Sequence, residues 1–117
     1  MLAFTSALEP LRAANLLSGR ELYRWCAISR DGRPVAASNG LQIIAEASIE
    51  SLGSGARDLD DILVCSGLDA HVFNDKAVFA WLRRAAREGA RIGAVSDGAF
   101  ILARAGLLNG YKCTIHW

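Results

Sequence analysis

The residues with the most chemical potential lie between Gly93 and Phe100, in the run GAVSDGAF, where an apolar strand turns abruptly into a helix with Ser96 at the corner. This is the layout of a nucleophile elbow. The tight turn strains the backbone of the corner residue, lifts its side chain above the sheet and sets a helix N-terminus beneath it that favours anions. Small residues must flank such a corner, and Ala94 and Gly98 do so. Ala94 stands where the pattern G-x-S-x-G has its first glycine, so an ordinary structural turn explains the segment equally well. A catalytic serine also needs a base and an oxyanion hole. The two histidines are His71 and His116. His116 opens the last strand of the pattern, and the ends of adjacent parallel strands meet at one sheet edge, which makes it the candidate base. His71 precedes a helix and is expected at the surface. The amides of Gly67 and Leu68, just past the strand that ends at Cys65, can face the same crevice. No carboxylate stands near His116 in the pattern to orient it, and a serine without an oriented base is a poor nucleophile. Asp97 is expected to cap the helix that follows.

These residues need elements to hold them. Phe4, Ala7, Leu8, Leu11 and Ala14 recur at helical spacing and predict a first helix up to Leu17, ended by Gly19. The Ser6 and Glu9 pair has capping-box spacing, which puts its regular start near Ser6 with Pro10 in the first turn. Tyr23 to Ser29, Pro34 to Ser38 and Leu41 to Ala45 read as three short strands separated by Asp31-Gly32 and Asn39-Gly40 turns. Ala47 to Leu52 reads as a short helix, Gly53 to Arg57 as a loop and Asp61 to Cys65 as a buried parallel strand. Lys76 to Glu88 is a helix with Val78, Trp81, Leu82 and Ala85 inward and Arg83, Arg84, Arg87 and Glu88 on a solvated outer face. Arg91 to Val95 is a strand, Asp97 to Leu107 a helix and Lys112 to Ile115 the start of another strand. Strands alternating with helices predict an α/β fold: a doubly wound, mostly parallel sheet with helices on both faces.

Composition limits the function classes. With 117 residues, 52% hydrophobic and 21% charged, residues 1–117 are expected to form one globular domain. Thirteen Lys and Arg against twelve Asp and Glu leave a formal charge of +1, without the excess that holds a phosphate backbone. Cys26, Cys65 and Cys113 form neither a disulfide framework nor a metal pattern; they are expected as small buried hydrophobes in a reducing cytoplasm. No metal and no cofactor is implied, and no run is apolar and long enough for a membrane span. A doubly wound fold ordinarily opens on a strand, whereas this sequence opens on a helix and stops as a strand begins. It is expected to be a fragment lacking its first strand and C-terminal part.

The runs FTSALEPLRAANLLSGRELYRW, SRDGRPVAASNG, ILVCSGLD and GAVSDGAFILARAGLLNGYKCTIHW, in that order, resemble the amidotransferase-like N-terminal domain of GlxA-type AraC-family regulators. That domain is similar to the PfpI superfamily, with a class I glutamine amidotransferase-like, flavodoxin-like fold. The resemblance places Ser96 where active members carry a cysteine, Gly67 and Leu68 at the oxyanion-type turn, and Ala3 where active members carry an acid. It implies a degenerate elbow without catalysis. It further implies a sensor of a small metabolite that self-associates in the cytoplasm and touches DNA only through a C-terminal helix-turn-helix domain outside this sequence. LEPLRAAN, YRW and DGRPVAASNG look closest to regulators that respond to glycine betaine or carnitine.

The expected ligand site is a crevice of Phe4, Gly67, Leu68, Ser96, Asp97, Gly98, His116 and Trp117. An aromatic face, Phe4 or Trp117, would meet a quaternary ammonium group, and Ser96 with nearby amides would hold a carboxylate. Phe4 and Trp117 serve equally well as core residues. Two other readings stay open: a PfpI-like hydrolase or glyoxalase-type enzyme using Ser96 and His116, and a structural dimerisation module with an empty crevice.

Overall fold

A computed structural model describes residues 1–53 and 58–114. The first helix, α1 (Leu2–Ser18), begins at Leu2, ahead of the expected start near Ser6. The capping box does not form, because a helix that begins at Leu2 leaves Ser6 inside it rather than at its N-cap; Glu9 pairs instead with Arg12 at 2.8 Å. Pro10 sits inside the helix, and Gly19 ends it at φ 64°, as the sequence predicts.

The three strands predicted between Tyr23 and Ala45 shrink to β1 (Ile28–Ser29), β2 (Val35–Ala36) and β3 (Gln42–Ile43). β2 and β3 form an antiparallel hairpin, and Gly40, at φ 83°, supplies the left-handed turn between them. Ala47 and Ser48, expected in a helix, form β4 (Ala47–Ser48), parallel to β1. The helix α2 (Ile49–Leu52) starts only behind them, capped reciprocally by Ser48 and Ser51. Of the loop predicted over Gly53 to Arg57, all but Gly53 lies outside the described residues.

The centre is β5 (Asp61–Ser66) and β6 (Arg91–Ser96), parallel and in register from Asp61 opposite Arg91 to Ser66 opposite Ser96. Between them runs α3 (Lys76–Arg87), and α4 (Gly98–Arg104) follows β6 directly. Ile62, Val64, Ile92 and Ala94 face a cluster built with Phe79, Trp81, Leu82, Ala85, Ile101 and Leu102. β5 was expected to be buried on both sides. It alternates instead, and Leu63 is 46% exposed. Cys26, Cys65 and Cys113 are likewise exposed, which overturns the expectation of buried thiols. Residues 112–114 form no strand, and Ile115 lies outside the described residues.

The inward face of α3 is as predicted at Trp81, Leu82 and Ala85, with Phe79 added and Val78 half-buried. Its basic face is not merely solvated. Arg84 donates to the Gly53 carbonyl at the end of α2, and Arg83 donates at 3.2 Å to the Ala105 carbonyl at the end of α4. Two cations thus close two helix C-termini, where the last carbonyls lack intrahelical partners.

The start of α3 is fixed by Asp75, whose Oδ1 accepts from the Ala77 and Val78 amides at 2.8 and 3.1 Å. Its Oδ2 meets Arg30 at 3.1 Å, and Arg30 also reaches Glu50, so one side chain ties the end of β1 to α2 and α3. The backbone bonds, led by that from Val78, hold the Asp75 carboxyl below its ordinary value of 3.8, with Arg30 adding to the effect. A depressed folded-state pKa stabilises the fold above the unfolded value and loses that contribution as pH falls through the folded one. Asp75→Ala is therefore expected to cost about 1 kcal/mol at pH 7. Denaturant melts of both proteins should show the gap narrowing below about pH 4; a gap unchanged at pH 3 would contradict this account.

Candidate functional site

The elbow forms. Ser96 has φ 53° and is the single non-glycine residue with positive φ among the described residues. A left-handed serine costs of the order of 1–2 kcal/mol, so the surroundings must impose the turn. Gly98 shows how they do it. A methyl group built there would overlap the Val64 carbonyl oxygen and lie 3.2 Å from the Val64 carbonyl carbon and 3.3 Å from the Ala94 Cβ. The first turn of α4 therefore rests directly on the β5 backbone, and the chain leaving β6 must bend at Ser96 to reach it. Both small residues expected around the corner, Ala94 and Gly98, serve this close approach.

Register places the remaining predicted residues. Ser66 is the strand partner of Ser96, so the turn Gly67–Leu68 leaves β5 beside the elbow. Leu68 is 80% exposed, and the Ala70 amide closes the turn onto the Gly67 carbonyl at 3.1 Å. Asp97 takes the N-cap position of α4, but its side chain makes no capping bond, which corrects the role expected of it. Phe4 is half-buried on α1, and α1 touches β6. The structure thus brings Ser96, Asp97, Gly98, Gly67 and Leu68 to one strand edge and carries Phe4 on a helix that borders β6. His116 and Trp117 lie outside the described residues.

His71 is exposed, as expected, and its Nδ1 lies 3.2 Å from the Leu68 carbonyl oxygen. A carbonyl only accepts, so this bond requires the proton on Nδ1. Cys65 precedes Ser66; crowding around the sulfur raises its thiol pKa above the ordinary value even though the residue as a whole is exposed. A thiol held protonated is a poor nucleophile at neutral pH. Among the described residues no group of three His, Cys, Asp or Glu side chains could hold a metal ion. No helix there is long and apolar enough to cross a membrane. Ser96 lines neither of two hollows: one of about 360 Å³ between α2 and α3, and one of about 390 Å³ where Phe100 and Ala103 of α4 face Leu108 and Tyr111.

A strained elbow whose helix rests on the neighbouring strand is shared by several α/β families; the match that decides among them is to the model of the DJ-1/PfpI family, over residues 5–117. The chain belongs to the DJ-1/PfpI family. Several of the proteins it is similar to are named as transcriptional regulators. It is 47% identical over 117 residues to the HTH-type transcriptional regulator GbdR of Pseudomonas aeruginosa, covering all of this chain and 31% of that protein. It is 44% identical over 118 residues to the HTH-type transcriptional regulator GlxA of Rhizobium meliloti, covering all of this chain and 35% of that one. The crystal structure of an AraC family transcriptional regulator from Pseudomonas putida superimposes with a TM-score of 0.81 at 33% identity, over 97% of this chain and 59% of that chain. The chain thus spans about a third of the curated relatives it matches. This DJ-1/PfpI domain has the flavodoxin-like α/β fold expected from sequence, and the resemblance to AraC-family regulators of the GlxA type holds along its whole length.

Proposed function

We propose that this chain is the ligand-sensing and dimerisation domain of an AraC-family transcriptional regulator, and that it binds a small nitrogenous metabolite in a non-catalytic crevice at the elbow. The observation that carries the reading is a serine held at φ 53° on an otherwise intact elbow, in a chain whose relatives are named as regulators. The scaffold that presents a nucleophile is kept while the nucleophile is changed, which suits recognition better than turnover. Ser96 and the Gly67–Leu68 turn would hold a carboxylate. Phe4 or Trp117 would face a quaternary ammonium group, at roughly 0.5–2 kcal/mol per contact. Asp97, Gly98 and His116 complete the crevice. Exposed Leu16, Leu17 and Leu22 supply apolar surface for self-association. DNA would be reached through a helix-turn-helix domain beyond these residues, in the cytoplasm.

Titration calorimetry of the full chain with glycine betaine and carnitine tests this. Saturable binding is expected, with Ser96→Ala weakening it about tenfold through loss of a charge-assisted hydrogen bond. Absence of heat at millimolar ligand removes that ligand class. The strain at Ser96 is also what a hydrolase or glyoxalase-type enzyme would use. That alternative requires turnover abolished by the same substitution.

A further inference from the structure

The segment between β5 and α3 carries the Gly67–Leu68 turn, and its contacts show what holds that turn in place. Ala70 is buried and anchors the middle of the segment, and Phe73 packs edge-on against Phe79 at 5.9 Å to anchor its far end. Leu68 and Val72 point into solvent at 80% and 62% exposure. Packing alone therefore leaves the stretch nearest Ser96 weakly held. Three contacts made by α4 or by His71 close that gap. Arg104, in the last turn of α4, donates from Nη1 to the His71 carbonyl at 2.6 Å. The His71 ring meets Phe100 edge to face, with centroids 6.2 Å apart. His71 Nδ1 donates to the Leu68 carbonyl at 3.2 Å.

We propose that Arg104 and His71 are positioning residues for the crevice: they fasten the Gly67–Leu68 turn to α4, the helix that begins at the elbow. The inference rests on reading that crevice as a ligand site. α4 is docked by Ile101 and Leu102, 6% and 3% exposed, and its first turn rests on β5. A turn tied to that helix keeps its distance from Ser96 although Leu68, its tip, packs on nothing. Arg104 thus joins the two halves of the crevice, its elbow side and its turn side, without lining it. The bond from a guanidinium to a carbonyl is charge-assisted and outweighs the neutral bond from His71, so Arg104 is the stronger member of the pair.

Hydrogen exchange on the full chain, with no ligand, decides the fastening. In Arg104→Ala, the hydrogen-bonded amides of Ala70 and Val72 should exchange about tenfold faster while those of β5 and β6 keep their protection. Arg104→Lys keeps a donor and should restore exchange to within about threefold of the wild type. His71→Ala should give a smaller acceleration of the same amides. Unchanged exchange at Ala70 and Val72 in Arg104→Ala overturns the proposal, as does a uniform rise across β5 and β6. Glycine betaine is then titrated into the same proteins. A five- to tenfold weaker Kd in Arg104→Ala, with Tm unchanged and affinity recovered in Arg104→Lys, is the expected result. Faster exchange with wild-type affinity would overturn the link to binding. A wild-type protein that gives no heat with betaine removes the ligand reading instead, and the fastening then stands or falls on the exchange data alone.

Discussion

Gly98→Ala should destabilise the domain by about 3 kcal/mol, the upper end of what one forced methyl group ordinarily costs in a tight contact. The added carbon would overlap the Val64 carbonyl oxygen and press on the Ala94 Cβ at 3.3 Å. The obstacle is largely backbone, so no rotamer change relieves it; α4 must lift from β5. Ser96 has its strained torsion because α4 lies so close, and lifting the helix would move the corner too. Urea melts should show the loss of stability. A midpoint within error of the wild type would mean that the close approach of α4 to β5 does not set the elbow.

Leu82→Ala should cost about 3 kcal/mol, within the range for emptying a leucine site in a core. Leu82 is 2% exposed and belongs to the cluster that joins α3 to Ile62, Ile101 and Leu102. It has no part in the elbow. The substitution therefore separates scaffold from site: the melt should shift while the folded fraction keeps its affinity for betaine. A cost under about 1 kcal/mol would show that the core collapses around the missing side chain.

Sequence reasoning found the elbow because steric demand leaves a trace in residue types. Ala94 and Gly98 are small where the chain crowds itself, and an apolar strand runs straight into them. The inward face of α3 was legible for a related reason, since Trp81, Leu82 and Ala85 repeat at helical spacing. Elements set by distant partners were not. Asp75 stands directly before the helix start, but its bond to Arg30, which joins α3 to the end of β1 and to α2, spans distant parts of the chain. Arg83 and Arg84 look like solvated charges until α2 and α4 bring carbonyls within reach. The exposure of Cys65 and Leu63 was missed because strand burial depends on what covers a face, and a strand's own sequence does not state that. The Ser6–Glu9 spacing misled because the helix runs back to Leu2 and leaves Ser6 inside it, where no free amide awaits a cap.

The bend at Ser96 is written into its neighbours. Val64 and Gly98 fix the path of the backbone, and the side chain at position 96 does not direct it but bears its strain. That position is an open socket in an inherited mould: it can be refitted with a thiol, a hydroxyl or a bare hydrogen while the mould keeps its shape. A lineage could thus exchange chemistry for recognition in a single codon, and a search for sister sensors would do better to follow the torsion than the letter.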